Sequence, residues 1–451
     1  MRKLLHNLSS SQMVVVGFLI VISIGTGLLC LPISSKTGNW VPFSTALFTA
    51  TTATCVTGLV VVPTVSWSVF GQAVILALIQ IGGLGVITIM FGLFIIFRRK
   101  IGLGNRLLLQ DALNLNTMSG IVKFTKKVLV GTFVVEAIGA GFYMLEFVPR
   151  FGLKGIWISI FNAVSAFCNA GMDIIGENSF YDYTSNLLIN IVTMVLIVLG
   201  GLGYIVWWDV LRVLKLKLKS KAKAWQNLTL HSKIAIMSTL SLILGGAVLI
   251  FVFEYNNTKT IADFNVGNKM LASVFQSVTT RTAGFASLPQ ENFTKSSALL
   301  SMILMFIGGS PVGTAGGIKT ATFAVLLLST ISVVKGKNDV SVFNRRISKT
   351  IVNKCSAIAF ISLVIILVST TLLSLTTNRA FIDTLYEVVS ATDTVGLSRN
   401  FTPFLNETGK YIIIFTMFFG RIGPIAMALS LNTKKQNENI IRNPKEDISV
   451  G

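Results

Sequence analysis

Four short segments, each centred on a glycine, recur at almost equal intervals along the chain, and this spacing constrains the fold more than any other feature. The central glycines are Gly58, Gly171, Gly284 and Gly396, which are separated by 113, 113 and 112 residues. An apolar stretch with few charges precedes each glycine, over 43–53, 156–166, 270–279 and 381–391. Self-similarity at a fixed period indicates that the chain repeats one structural unit.

A second spacing points to the same repeated unit. Gly82, Gly308 and Gly420 lie 24 residues after the central glycines of the first, third and fourth segments, and Gly200 lies 29 residues after Gly171. Small residues of this kind let helices approach closely in a membrane. Together the two spacings predict four copies of a unit made of a long helix, a short helix, a glycine loop and a second long helix.

The composition places these helices in a membrane. The chain is 52% hydrophobic and only 12% charged, whereas a soluble domain carries about 25% charged residues. Its apolar runs are long enough to cross a hydrocarbon core of about 30 Å. They predict first helices at 13–33, 127–148, 232–254 and 351–375, and last helices at 71–97, 186–208, 297–332 and 410–431.

The short helix of each unit cannot cross the membrane. Eleven residues rise only about 16 Å, so the chain must turn halfway across and leave on the side it entered. Irregular backbone at this depth is tolerated only where it is buried in protein or lines a water-filled path. We therefore predict an all-α integral membrane protein in which four pseudo-symmetric repeats of helix, pore helix, filter loop and helix surround one central pore.

The charge distribution orients these repeats. They are expected at 13–100, 120–212, 230–335 and 350–431, between an N-terminal segment at 1–12 and a tail at 432–451. The net charge is +20, and 26 of the 38 Lys and Arg residues fall on the two ends and on the stretches between repeats. Lys/Arg-rich loops face the cytoplasm, which predicts a multi-pass protein with both termini cytoplasmic. The basic runs are then topology signals or contacts with lipid headgroups, and no nucleic-acid partner is expected.

Each glycine loop has the features of a cation filter. A short helix that points into the membrane places the negative end of its dipole at the centre, and loop carbonyls can replace the hydration shell of a cation. Such a site needs no full charge and suits a monovalent cation, and no other metal is expected. The candidate ligands are the three residues that end in each glycine: Val56, Thr57 and Gly58; Asn169, Ala170 and Gly171; Thr282, Ala283 and Gly284; and Thr394, Val395 and Gly396.

The four-fold pattern resembles the Trk/Ktr/HKT superfamily of cation transporters and is most similar to the membrane subunit of bacterial Ktr potassium transporters. The resemblance covers residues 12–431 and implies one filter glycine in each repeat, with glycine in all four as the potassium-selective arrangement. It also implies a location in the bacterial plasma membrane, a homodimer, and a cytosolic octameric ring that binds ATP or ADP. The chain itself is expected to bind no cofactor, and a dependence on sodium is an expectation from the family only.

The predicted last helix of the third repeat cannot be continuous. Its 36 residues would extend about 54 Å as a helix, and five glycines and one proline oppose helix formation in its middle. These residues are Gly308, Gly309, Ser310, Pro311, Val312, Gly313, Thr314, Ala315, Gly316 and Gly317. The resemblance implies an intramembrane gate loop below the filter, and a passive kink for helix packing is the alternative.

Arg421 lies within the apolar run 412–431. A charge at mid-span costs about 2.5–3.5 kcal/mol on insertion scales and marks functional or paired sites. The resemblance implies an arginine just below the filter, in contact with the gate loop. We therefore expect Arg421 to donate hydrogen bonds to loop carbonyls and to present a positive barrier to cations, with snorkelling to a surface as the alternative.

Four further charged residues each have two alternative assignments. Arg281 and Asp393 each lie three residues before a filter glycine. We expect them to form a buried pair that supports the filter, and attraction of cations by Asp393 at the mouth is the alternative. Lys319, at the cytoplasmic edge of the broken segment, is explained equally well by snorkelling and by function. Glu136 is either a helix-packing hydrogen bond or a site for a coupling ion.

The sequence favours potassium uptake through a selective, gated pore. A less selective potassium/sodium transporter and a secondary cation symporter are the alternatives. Symporters with broken helices usually consist of two inverted halves, whereas these four repeats run in the same direction. An enzyme is not expected, because the sequence contains no paired carboxylates, nucleophile motif or metal-ligand cluster. A structural or receptor subunit would not need four filter loops.

Overall fold

The computed structural model describes residues 9–96, 120–219, 224–337 and 339–431, and these residues are mostly helical. They form four units of one plan, which confirms the predicted all-α class and the four repeats. In each unit a long helix is followed by a shorter helix, a loop, a short 3₁₀ helix and a final helix. The shorter helix and the central glycine of the loop keep the names pore helix and filter glycine, while the filter itself stays a prediction. The predicted tail at 432–451 and most of the predicted N-terminal segment lie outside the described residues.

The first two repeats show this plan most simply. The first contains α1 (Ser10–Cys30), α2 (Phe43–Cys55), α3 (Val69–Leu84) and α4 (Val86–Ile96). The second contains α5 (Ile121–Phe151), α6 (Leu153–Cys168), α7 (Leu187–Leu202) and α8 (Tyr204–Lys219). A short helix, α9 (Ala224–Asn227), follows them.

The last two repeats are joined by a small hairpin. The third repeat contains α10 (Leu230–Glu254), α11 (Val266–Thr279), α12 (Lys295–Phe306) and α13 (Thr320–Val334). The antiparallel strands β1 (Val340–Val342) and β2 (Arg345–Ile347) come next. The fourth repeat contains α14 (Lys349–Ser374), α15 (Phe381–Thr392), α16 (Glu407–Ile422) and α17 (Pro424–Leu431). Short 3₁₀ helices lie at Pro32–Ser34, Thr64–Ser66, Tyr181–Tyr183, Gln290–Asn292 and Thr402–Phe404.

The first helix of each repeat is the element that can cross a membrane by itself. Within the described part of the chain, four helices have the required length and composition, and they are α1, α5, α10 and α14. Three of them begin at a hydroxyl cap, since Ser9, Thr229 and Ser348 each accept a hydrogen bond from a backbone N–H in the first turn. Such caps satisfy donors that have no partner within the helix. All four overlap the first helices predicted from the sequence.

The last helices are broken, so the prediction of one continuous helix in the first, second and fourth repeats is wrong. The breaks fall at Gly85, Gly203 and Gly423, which have φ of +86°, +84° and +90°. Glycine reaches a positive φ at little cost, and this conformation ends a helix. In the second repeat α7 and α8 meet at a bend of 97°. The closely spaced glycines therefore encode a break as well as close packing.

In the first, second and fourth repeats, one glycine brings the final helix against the pore helix. A Cβ atom on Gly82 would lie 1.9 Å from the backbone oxygen of Thr54, four residues before the filter glycine. Gly200 and Gly420 make the equivalent approach, at 2.0 and 1.9 Å. No side chain fits at these three positions, which explains why each of them is glycine. The five extra residues of the second repeat lie between its filter glycine and α7.

Replacing Gly82 with alanine is expected to lower the melting temperature of the detergent-solubilised protein. The added Cβ would lie 1.9 Å from a backbone oxygen, and overpacking costs about 1–3 kcal/mol or more. Gly27→Ala in α1 is the matched control, because no atom lies within 4 Å of its added Cβ and alanine favours helix more than glycine does. Equal melting temperatures for the two variants would contradict the close contact.

Candidate functional site

The four filter glycines form a closed ring. A Cβ atom added to any of them would lie 2.3–2.6 Å from the backbone oxygen that precedes the glycine of the next repeat. In order around the ring, the glycine–oxygen pairs are Gly58 with Ala170, Gly171 with Ala283, Gly284 with Val395, and Gly396 with Thr57. The fourth loop thus returns to the first, as four repeats around one axis require.

The four filter loops share one backbone conformation. The residue two positions before each glycine has φ between +51° and +62°, and each glycine has φ between +64° and +98°. The non-glycine residues are Val56, Asn169, Thr282 and Thr394. Left-handed backbone is uncommon for such residues, and a β-branched side chain makes it more costly. Strain of this kind persists only where the surrounding structure imposes it, which is typical of functional sites.

Two of the predicted ligand residues carry hydroxyls without a protein partner. Thr57 and Thr394 are fully buried, and their Oγ1 atoms make no hydrogen bond within the described residues. An unpaired buried hydroxyl costs about 1–3 kcal/mol. Together with the backbone oxygens at the C-terminal ends of the pore helices, these atoms have the chemistry of ligands for a cation.

A hydroxyl in each pore helix ties the filter loop back to its own helix, and these four residues were not predicted from the sequence. Thr52 accepts a hydrogen bond from the N–H of its filter glycine at 3.0 Å, and Ser390 does the same in the fourth repeat. Ser165 and Thr279 instead donate to the backbone oxygen that follows their glycine. The available signal was a Ser or Thr five or six residues before every filter glycine.

The glycine-rich middle of the third repeat's last helix forms a loop between α12 and α13, as predicted. The two ends of the loop lie side by side, since the N–H of Gly308 donates to the oxygen of Ile318 at 3.0 Å. The N–H of Ile318 in turn donates to the oxygen of Phe306 at 3.3 Å. These bonds pair backbone groups that a break in the helix would otherwise leave free.

The loop also fills the break between α7 and α8. The N–H of Ser310 donates to the oxygen of Gly201 at 2.8 Å, and the N–H of Tyr204 donates to the oxygen of Val312 at 3.0 Å. The bend at Gly203 leaves these backbone groups of the second repeat without helical partners. The loop therefore supplies hydrogen-bond partners to the irregular backbone between α7 and α8 as well as to its own.

The same loop lies directly against the filter. The N–H of Gly316 donates to Oγ1 of Thr282 at 3.0 Å. A Cβ atom on Gly316 would lie 1.8 Å from Oγ1 of Thr394, so only glycine fits at this position. The predicted gate segment and the predicted filter are thus in contact, whereas its action as a gate stays a prediction.

Arg421 connects the loop to the first repeat. Its Nη1 donates to the oxygen of Thr314 at 2.7 Å, and its Nη2 donates to the oxygens of Gly82 and Gly83. The first bond is the contact with the loop that was predicted, while the bonds to the end of α3 were not. The described part of the chain shows no ion pair at Arg421, so its positive charge is balanced only by carbonyl dipoles.

The predicted pair between Arg281 and Asp393 is not formed, although both side chains are buried. Arg281 Nη2 instead donates to the oxygen of Gly308 at 3.3 Å. Asp393 lies within electrostatic reach of Lys319, and its Oδ2 has no hydrogen-bond partner among the described residues. The physical reason is the loop between α12 and α13. Arg281 is bonded to Gly308 at one end of the loop, whereas Asp393 lies near Lys319 at the other end, so each side chain has a partner in the loop and not in the other repeat's side chain.

Lys319 and Glu136 also find partners in the interior. Lys319 Nζ donates to the oxygen of Ala315 at 2.6 Å, which favours attachment to the loop over snorkelling. Glu136 is 4% exposed and accepts hydrogen bonds from Gln80 Nε2 at 3.3 Å and from the Cys168 thiol at 3.8 Å. These contacts favour the helix-packing interpretation of Glu136.

The chain matches a known family over nearly its whole length. The profile of the TrkH family, described as "Cation transport protein", matches residues 5–442. The chain belongs to the TrkH family. The ring of four filter loops and the broken third repeat are therefore features of a TrkH-family protein.

Individual TrkH-family relatives agree with this assignment. The chain is 39% identical to the potassium/sodium uptake protein NtpJ of Enterococcus hirae, over 100% of this chain and 99% of that protein. It is 38% identical to the Ktr system potassium uptake protein B of Bacillus subtilis, over 98% and 96%. The crystal structure of the potassium transporter TrkH from Vibrio parahaemolyticus is similar with a TM-score of 0.71, covering 92% and 84%, at 17% identity. That last likeness supports the fold alone.

Replacing Thr52 with valine is expected to lower the melting temperature of this TrkH-family protein. The isosteric change leaves the N–H of the first filter glycine without its partner at 3.0 Å, at a cost of about 1–3 kcal/mol. Thr51→Val is the matched control, because Thr51 is equally buried in α2 and its Oγ1 has no partner among the described residues. Equal melting temperatures for the two variants would show that the hydrogen bond from the Gly58 N–H to Thr52 does not contribute to stability.

Proposed function

We propose that this chain takes up potassium ions across a bacterial plasma membrane, through the ring of four filter loops. The closed ring carries the proposal, because it brings backbone oxygens from all four repeats together around one axis. Two relatives named as a potassium/sodium uptake protein and a potassium uptake protein support the choice of ion. No catalytic activity is proposed, and the potassium ion is the cargo of the pore.

Conduction would rest on exchange of ligands. An ion entering the ring would lose water and gain backbone oxygens, while the C-terminal dipole ends of α2, α6, α11 and α15 favour a positive charge. The hydroxyls of Thr57 and Thr394 would add neutral oxygen ligands. Because no ligand in the ring is ionised, binding stays weak enough for the ion to leave.

Gly284→Ser is expected to lower the selectivity for potassium over sodium. The added Cβ would lie 2.4 Å from the oxygen of Val395, at a φ of +81° that serine adopts only with strain. The neighbouring loop must move, which changes the spacing of the oxygens. We expect a loss of selectivity of about tenfold, equivalent to about 1.4 kcal/mol, in rubidium uptake by cells that lack their own potassium uptake, with sodium as competitor.

Gly245→Ser is the matched control, because no atom lies within 4 Å of a Cβ on this α10 residue of the same repeat. The filter assignment fails if the selectivity of Gly284→Ser equals that of the control. The parent protein also tests a second candidate, uptake of both potassium and sodium, which the name of the Enterococcus hirae relative favours. Equal uptake of the two ions by the unmutated chain would support this second candidate.

We further propose that the loop at 308–317 is a gate. Its contacts with Thr282 and Thr394 support this proposal, because an ion leaving the proposed filter would pass close to both residues. Arg421 and Lys319 both donate to its carbonyls, so two positive charges are held close to this path. Their charge would repel potassium ions until the loop moves aside together with the side chains of Arg421 and Lys319.

Deletion of 309–316 is expected to raise basal rubidium flux several-fold in proteoliposomes without any partner protein. The shortened chain can close with little strain, because a Cβ on Gly308 would lie 3.0 Å from the Cα of Gly317 and bonded Cα atoms are about 3.8 Å apart. The deletion also removes the Thr314 carbonyl, which is one of the three carbonyls to which Arg421 donates.

The same deletion combined with Gly284→Ser distinguishes flow through the filter from a leak around it. Added flux that passes the filter should acquire the altered selectivity of the serine variant, whereas a leak should not. A deletion variant that folds but conducts no faster than the parent would show that the loop is not a gate.

We also propose that the chain works as a homodimer on a cytosolic octameric ring that binds ATP or ADP, with both of its termini in the cytoplasm. The name of the Bacillus subtilis relative, a component of a Ktr system, supports a partner protein. Nucleotide would then act through the partner, and the basic stretches would contact the ring and lipid headgroups. Sodium would act either as a coupling ion or as an activator.

A further inference from the structure

A single guanidinium bridges the backbones that leave the third and fourth filter loops. Arg399 lies three residues after Gly396, and its side chain is 11% exposed. Its Nε donates to Oδ1 of Asp383 at 2.8 Å. Its Nη1 and Nη2 donate to the backbone oxygens of Gln290 at 2.6 Å and Glu291 at 3.0 Å. Since Asp383 is in the first turn of α15 and the two oxygens follow the third filter, one side chain spans two repeats.

The acceptor side of this bridge is itself held in place. Gln276 of α11 and Gln290 exchange amide hydrogen bonds of 2.8 and 3.1 Å. The hydroxyl of Tyr386 donates to the same Gln290 Oε1 at 3.0 Å. All three side chains are buried. The segment to which Arg399 donates, at Gln290 and Glu291, is therefore attached to the pore helices of the third and fourth repeats.

The donor side is held by a second carboxylate. Glu387 lies one turn after Asp383 in α15, is fully buried, and accepts hydrogen bonds from the hydroxyls of Ser398 and Thr402. These two hydroxyls lie on either side of Arg399 in the chain. The segment that leaves the fourth filter is thus fixed to its own pore helix at two points, and neither end of the Arg399 bridge is free to move.

The bridge lies where the third and fourth repeats meet, and we call such a junction between neighbouring repeats of the ring a seam. The residues three positions after the other filter glycines are Val61, Ile174 and Ser287, none of which can form such a fork. At the level of the filter, the same seam is the contact of Gly284 with the backbone oxygen of Val395. A restraint on the two departing backbones therefore acts directly on the spacing of these two loops.

We propose that Arg399 is a positioning residue for ion selectivity, whose rigid fork sets the distance between the third and fourth filter loops. The proposal rests on the proposed function, namely conduction through the ring. Discrimination between potassium and sodium depends on the size of the oxygen cage and on its flexibility. A planar guanidinium with three directed hydrogen bonds restrains both quantities, which a lysine in its place would not do.

The test compares uptake of potassium and sodium by purified protein in proteoliposomes. Arg399→Gln is expected to lower the potassium-to-sodium uptake ratio by about fivefold to tenfold, because charge-assisted hydrogen bonds across the seam are lost. Arg399→Lys keeps the positive charge but loses the planar guanidinium, so it should lower the uptake ratio almost as much as Arg399→Gln does. Arg379→Gln is the matched control: Arg379 belongs to the same repeat, stacks on the ring of Phe404 at 4.6 Å, and should keep the parent ratio when replaced.

A double-mutant cycle with Asp383→Asn separates positioning from general loss of stability. Arg399→Gln and Asp383→Asn should each lower the ratio, and the double variant should lose less than the product of the two effects because they break one network. Should Arg399→Gln fail to fold, Arg399→Lys and Asp383→Asn decide by the same ratio.

A parent-like ratio in the folded Arg399 variants, full rescue by lysine, or an equal fall in Arg379→Gln would overturn the proposal. These outcomes are distinct from failure of the proposed function. If the proposed function itself were wrong, the parent protein would take up neither potassium nor rubidium. If only the Arg399 proposal fails, uptake by the parent and the effect of Gly284→Ser both remain.

Discussion

The close approach of four backbones around one axis is the contact on which the rest of the structure depends. At each filter glycine a single added carbon would collide with a carbonyl of the next repeat. Farther along each of the first, second and fourth repeats, another glycine meets a backbone oxygen of the pore helix just as closely. Hydrophobic burial gives helices little reason to associate inside a bilayer. Two tiers of glycine contacts therefore supply the packing that brings the four repeats into a ring.

This packing demands irregular backbone at membrane depth, and the structure compensates it with backbone from other repeats. The last helices break at Gly85, Gly203 and Gly423, and the loop of the third repeat supplies hydrogen bonds to the break in the second. Arg421 reaches the oxygens at the end of α3 as well as the loop. Groups left unpaired by a broken helix would cost several kcal/mol each in hydrocarbon, so the loop and the break at Gly203 stabilise each other.

The repeats share a backbone but differ in what supports them. Between the second and third repeats, the N–H of Phe180 donates to the oxygen of Ala286 at 3.0 Å, and Thr184 donates to the oxygen of Ser287. Between the third and fourth, the guanidinium of Arg399 takes that role. Positions that match in the sequence also hold different groups, such as Cys168 beside Glu136 and Asp393 near Lys319. This TrkH-family chain thus combines four similar repeats with contacts that differ between the second and third repeats and the third and fourth.

The sequence by itself determined the number of repeats, the membrane location, the four glycines of the ring and the loop in the third repeat. These follow from spacing, composition and glycine content, which are properties of the chain read along its length. Only the tertiary structure decided that Arg281 and Asp393 do not pair, that Arg421 binds α3, and that Arg399 joins two repeats. The physical reason is that each of these outcomes depends on where the arrangement of the repeats around one axis places groups more than a hundred residues apart. The breaks at Gly85, Gly203 and Gly423 were determined only in part by the sequence. Their glycines are visible in it, but the positive φ of each glycine is not.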